Sequence, residues 1–233
     1  MSLDIPGAVR FATRSLAGVA DAEKARAMAA YLKTDMPFYG VQKPGRSPIL
    51  RELIREHAPA DREEYERLVL ALWALPHREE KYLALGVAVG HQEFVTPASL
   101  PLYRRLIVQG AWWDFVDEVA THLIRPLATG YPADVWPVVD RWIDDPDMWL
   151  RRTAIICQVG AKGQTDPDRL FGYCAARAHE GDFFIRKAIG WALREYAKTD
   201  PDAVAVFVAE HRERLSGLSY REATKHIGDR AGR

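Results

Sequence analysis

The chain is predicted to be all-α: a single-domain α-solenoid of paired antiparallel helices, with HEAT-like repeats that create one concave face. Three observations predict it. Apolar residues recur at helical spacing, in pieces of about 11 to 17 residues, along the whole sequence. No sustained apolar–polar alternation occurs, and no Asn-Gly or Asp-Gly pair marks a hairpin turn. The chain also echoes itself. Trp149-Leu150-Arg151-Arg152-Thr153-Ala154 aligns with Phe184-Ile185-Arg186-Lys187-Ala188-Ile189, 35 positions on, and Glu80-Lys81-Tyr82-Leu83-Ala84-Leu85 is a weaker relative. A helix pair of that period cannot bury its apolar face alone, so neighbouring pairs must stack.

Helices are expected, in order, over 6–18, 21–34, 46–57, 61–75, 78–91, 98–109, 114–129, 132–144, 148–159, 167–180, 182–198, 201–213 and 218–228. The breaks fall at Pro37, Pro44-Gly45, Pro76, Pro97, Gly110, Gly130, Pro146, Gly160, Gly181, Pro201 and Gly217, where proline or glycine interrupts the periodicity. Several starts carry caps: Asp21 precedes Glu23, Asp61 precedes Glu63-Glu64, and Asp200-Pro201 puts proline at the first helical position.

Composition narrows the function classes. With 233 residues, 48% of them hydrophobic, the chain can bury a sizeable core. Lys+Arg and Asp+Glu both number 32, so the net charge is zero, which weighs against a bulk polyanion binder and leaves local patches to decide. Cys157 and Cys174 lack metal-ligand spacing and read as reduced core thiols. No apolar segment approaches the roughly 20 residues that span a bilayer, and a cytosolic location is expected. The seven histidines fall in no metal-binding pattern, and neither a nucleophile elbow nor a Gly-rich phosphate loop is present. No metal and no cofactor is expected. Arg151-Arg152 and Arg186-Lys187 fall at equivalent places in the echo, so a positive stripe on one solenoid face is expected, with nucleic-acid phosphates as its natural partner.

The run Ala111-Trp112-Trp113-Asp114-Phe115-Val116-Asp117 carries the chemistry. Trp113 and Asp117, four apart, share one helical face. An indole beside a carboxylate suits a positively charged group. The competing reading puts Trp113 in the core, with Asp114 capping the helix and Asp117 favouring its dipole. Trp191 follows Gly190 in mid-helix, where glycine costs about 1 kcal/mol relative to alanine. A close backbone, a ligand or tight helix packing would account for it. Only one of Arg151 and Arg152 can face a groove, since helix neighbours point about 100° apart. Arg194-Glu195 and Arg221-Glu222 read as surface pairs of little worth.

These residues resemble the AlkD family of bacterial DNA alkylation-repair glycosylases. The likeness is carried by Tyr31-Leu32-Lys33, Phe38-Tyr39-Gly40-Val41-Gln42-Lys43-Pro44, Trp112 to Asp117, Trp149 to Ile155, Phe183 to Ala197, and Arg221 to His226. It implies a cleft lined by Trp113, Asp117 and Trp191 as catalytic residues. It also implies that Arg152 contacts the DNA backbone and that Tyr31 and Gln42 lie near the lesion, with Lys187 and Arg194 adding to the DNA-binding set. Gly160 stands where a relative has lysine, so Lys162 replaces it or one phosphate contact is lost. The first 20 residues match poorly.

The implied reaction excises cationic N3- or N7-alkylated purines such as 3-methyladenine and 7-methylguanine from double-stranded DNA, without base flipping. A cationic base leaves readily, so no general acid is needed, and the sugar's oxocarbenium character is what the cleft must stabilise. A monomer is expected. Two other readings stand beside it: a HEAT-repeat DNA-structure binder without catalysis, and a protein-binding scaffold. A base-release assay separates the first, and duplex binding at low salt separates the second.

Overall fold

Aspartate oxygens start half of the α-helices, because they accept the amides that a first turn leaves free. The computed structural model describes residues 2–227, and every regular element among them is helical. The helices gather into two units, one ending at Ser99 and the other beginning at Leu100, with no linker between them.

In the first unit, Asp4 caps α1 (Ile5–Gly18) and Asp21 caps α2 (Ala22–Leu32), accepting from the amides of Glu23 and Lys24. The poorly matching N-terminus thus forms an ordinary core helix, with Ala8, Ala12 and Leu16 fully buried on one stripe. α2 ends two residues earlier than the sequence predicts, where Lys33 takes a left-handed conformation at φ 51°. α3 (Lys43–Glu56) begins three residues earlier than expected. Pro44 lies in its first turn, where a missing amide costs nothing, so it starts the helix instead of breaking the chain. Asp61 caps α4 (Arg62–Trp73), which packs on α5 (Arg78–Gly90). The first turn of α5 buries three charged residues, Arg78, Glu79 and Glu80, each at most 1% exposed.

In the second unit, α6 (Leu100–Gly110) leads to α7 (Trp113–Val119), a wide π turn (Ala120–Ile124) and α8 (Arg125–Gly130). The backbone stays helical through both junctions. Pro126 cannot donate to the carbonyl one turn back, and the Arg125 amide reaches five residues back to Ala120 O. The Thr121 hydroxyl donates to the Asp117 carbonyl at 2.7 Å. α9 (Pro132–Trp142), α10 (Met148–Ile156), α11 (Pro167–Arg177), α12 (Phe183–Tyr196), α13 (Pro201–Glu210) and α14 (Gly217–Ala223) complete the unit. Asp147, Asp166, Asp182 and Asp200 cap α10 to α13, and Ser216 caps α14. Residue 228, the last of the final predicted helix, lies outside the described residues. Cys157 and Cys174 are buried free thiols; burial pushes the Cys157 thiol up to about 12.

The mid-helix glycine has a packing explanation. A Cβ on Gly190 would sit 2.5 Å from Glu222 Cβ and 3.2 Å from the Ser219 carbonyl, so Gly190 is what lets α14 lie against α12. Gly190→Ala is expected to lower stability by up to about 2 kcal/mol, since an overpacking cost of about 1–3 kcal/mol is offset by the roughly 1 kcal/mol gained in helix propensity. Chemical denaturation checks it, and an unchanged or raised midpoint would remove the packing argument.

Candidate active site

Asp117 stands on the second turn of α7, and its carboxylate is met by Arg152 from α10. Arg152 Nε donates to Oδ1 and Nη2 to Oδ2, both at 2.8 Å, in a fork that fixes the plane of the carboxylate. Nη1 of the same guanidinium donates to the Phe184 carbonyl at 2.6 Å, so one side chain ties α7, α10 and α12 together. The pair is largely desolvated, with the arginine side chain 5% exposed and the aspartate 18%. Burial raises the Asp117 carboxyl above its ordinary value; the Arg152 bonds and charge oppose that shift, and Asp114 adds to it. The fork uses about two of the four or so lone-pair directions of a carboxylate, so the group can still accept from water or face a cation.

Trp113 lies one turn before Asp117 and Trp191 lies on α12; both are partly exposed, and α10 packs against both of their helices. The competing reading of a core Trp113 therefore fails, and so does the cap assigned to Asp114: the N-cap residue is Trp112, without a side-chain cap bond. Behind the pair lies an aromatic cluster. The Trp112, Trp149 and Phe184 rings have centroids 4.9–6.1 Å apart, and Phe183 meets Phe184 edge-on at 5.4 Å. Trp149 and Phe184 are the echoed positions of the sequence. Each follows a capping aspartate, Asp147 and Asp182, that accepts from the amides two and three residues on. The 35-residue echo thus repeats a cap and an aromatic, and the aromatics touch.

Of the two basic pairs expected to form a stripe, Arg151 and Arg152 are committed to other partners, and Lys187 of the second pair joins a different cluster. Arg151 pairs with Glu180 at 3.0 Å and also donates to the Asp145 and Pro146 carbonyls, while Arg152 is committed to Asp117 and Phe184. Around Lys187, positive charge gathers where the sequence suggested two surface pairs. Glu222 is 9% exposed and accepts from Lys187 at 3.3 Å, from Lys225 at 2.9 Å and from Arg194. Glu195 pairs with Lys198 and not with Arg194. Lys225 first, then Lys187 and Arg194, hold the Glu222 carboxyl below its ordinary value against burial. Three cations on one carboxylate leave a local excess of positive charge, and the side chains of Lys187 and Lys225 are 39% and 51% exposed. Lys225 was missed as a candidate, although it lies in the Arg221 to His226 motif.

Tyr31 and Gln42 belong to the first unit; both are exposed, Tyr31 at 75%. Gly160 takes φ +84°, and a Cβ there would meet the Arg125 guanidinium at 2.4 Å, so a lysine at this position would be strained. Lys162, two residues on, is exposed. No described helix is long and apolar enough to cross a membrane.

A family model described as DNA alkylation repair enzyme matches residues 12–227. The chain is similar to the solved structure of a predicted DNA alkylation repair enzyme from Enterococcus faecalis. The two are 29% identical with a TM-score of 0.80, over 90% of this chain and 97% of that one. It also shares its fold with AlkD2 from Streptococcus mutans, at 16% identity and a TM-score of 0.61, over 88% of this chain and 99% of that one. No curated protein sequence matches significantly. The family match takes in all or part of every described helix, and on it the chain belongs to the DNA alkylation repair enzyme family, with the all-helical fold of its AlkD-like neighbours.

Proposed function

We propose that this protein is a DNA glycosylase that releases cationic N3- and N7-alkylated purines from double-stranded DNA. The observation that carries the reading is the Asp117 carboxylate, held in plane by the Arg152 fork and preceded one turn earlier by the partly exposed Trp113. A cationic base departs without protonation, so the site's task is to stabilise the positive charge left on the deoxyribose. Asp117 supplies fixed negative charge there and a spare lone pair to orient the attacking water. Trp113 and Trp191 supply π-faces, each worth about 0.5–2 kcal/mol toward a cation. Contacts confined to sugar and phosphate need no extruded base, so bulky cationic adducts are accepted and neutral lesions react poorly.

Arg152 enters this mechanism through Asp117. Arg152 is 5% exposed, with most of its N–H donors committed to Asp117 and Phe184, so we assign backbone binding to the cluster of Lys187, Arg194 and Lys225, with Tyr31 and Gln42 from the first unit. The deciding assay is release of 7-methylguanine and 3-methyladenine from alkylated duplex DNA, where no release above the spontaneous rate would sink the reading. The cluster has its own check. Lys225→Ala is expected to weaken duplex binding and flatten the salt dependence by about one ion, and an unchanged slope would remove Lys225 from the interface.

A further inference from the structure

Three consecutive amides converge on one buried carboxylate in the first unit. Glu79, 0% exposed, accepts from Tyr39 N at 3.1 Å, Gly40 N at 2.8 Å and Val41 N at 2.9 Å. Successive amides curved around a residue of positive φ form an anion-binding nest, and Gly40 has φ +86°. Such a nest ordinarily takes an anionic ligand; here it is filled by the chain's own side chain. The conformation tolerates nothing larger than glycine, since a Cβ on Gly40 would lie 1.9 Å from the Asp21 carbonyl.

The rest of the segment is fixed as firmly. Arg78 N donates to Pro37 O at 2.9 Å, and Asp21 N to Tyr39 O at 2.8 Å. The Tyr39 ring stacks on His77 at 3.9 Å, and its hydroxyl donates to Glu80 at 2.9 Å. Arg46 donates to Val41 O at 3.0 Å. The residues just past this anchored turn are exposed: Gln42, whose side chain caps nothing, then Lys43 and Pro44. A carboxylate this buried is costly to keep, and several other contacts already restrain the segment. The arrangement suits a rigid mount for the polar residues beyond it.

We propose that Glu79 is a positioning residue for DNA binding, acting through Gln42: its carboxylate sets the turn at 39–41 from which Gln42 is presented to the duplex. This rests on the reading of Gln42 as a DNA contact and not on base excision. A presented side chain contributes its full contact only while its mount is rigid, because ordering the segment on binding would otherwise cost conformational entropy.

The test is a double-mutant cycle on undamaged duplex DNA with Glu79→Gln and Gln42→Ala. In Glu79→Gln one side-chain oxygen becomes an amide NH2 that opposes the loop amides. Exchange of the amides of residues 39–41 is expected to accelerate, and affinity to weaken about threefold to tenfold, the worth of one polar contact. Gln42→Ala is expected to do the same, and the double variant to bind no worse than either single one. Additive losses, unchanged affinity in either single variant, or unchanged amide exchange would each overturn the proposal. Should Glu79→Gln fail to fold, Glu79→Asp, one methylene short but still a carboxylate, enters the same cycle with the same criteria. A protein that binds duplex but releases no base would sink the glycosylase reading and leave this test intact.

Discussion

Asp117→Asn is expected to lower the single-turnover rate of 7-methylguanine release by about 10²–10³-fold, the usual loss when one preorganised electrostatic group is removed from a transition state. The protein is expected to survive the change. Burial outweighs Arg152 at this carboxyl and raises its pKa, so a neutral amide relieves desolvation there, but its NH2 opposes one N–H of the buried guanidinium and stability is expected to fall. A cooperative melting transition above the assay temperature, with duplex affinity retained, places the loss in the chemistry. Equal rates in the two proteins would take Asp117 out of the mechanism.

Arg152→Met carries the second large effect, and its signature is a pH profile. Catalysis needs the ionised form of Asp117, so base release falls as pH drops through the folded-state pKa. That acid limb sits above the ordinary aspartate value, because burial has moved it up. Removing the guanidinium removes the interactions that pull the pKa down, and burial then acts unopposed. The limb is expected to move to higher pH. On the acid side of the shifted limb the variant is slow, and raising the pH restores part of the rate after subtraction of spontaneous release. A limb that stays in place would show that Arg152 does not act through Asp117. The variant is also expected to lose about 3–5 kcal/mol of stability, as a buried pair does when one partner is deleted. For Asp117 itself the linkage has the opposite sign to that of a stabilising surface carboxylate. Its raised pKa contributes stability below the unfolded-state value, and that contribution is lost as pH rises through the folded one. Ionising the group for catalysis therefore costs the fold something.

Much of the architecture was legible because it is local. Helical periodicity and the caps at Asp21, Asp61 and Asp200 depend on neighbours within one turn, and they hold. Asp147, Asp166 and Asp182 obey the same rule and could have been read the same way. Pro44 was misplaced because proline punctuates and initiates helices with the same residue, and only the chain before it decides which. The site was legible in part. The four-residue spacing put Trp113 and Asp117 on one face, and a family likeness brought in Trp191 and Arg152. Partner choice was not legible. Arg152 reaches back 35 residues to Asp117, Lys187 reaches forward 35 to Glu222, and Arg194 bypasses adjacent Glu195 for Glu222. Those choices depend on which helices pack, and in the case of Glu222 on a glycine at 190.

The wide turn after Asp117 settles a question of rotational phase. The buried apolar residues of this stretch are Phe115, Val116, Val119, Ala120, Leu123, Ile124, Leu127 and Ala128, two ladders stepping by four. At about 3.6 residues per turn, the twelve steps from Phe115 to Leu127 would leave Leu127 rotated by about 120°, out toward solvent. Absorbing one additional residue in the π turn takes back about 100° of that drift and returns the far end of the stretch to the inner side. The seam beneath Asp117 can therefore stay straight over four turns while the carboxylate keeps its aim at Arg152.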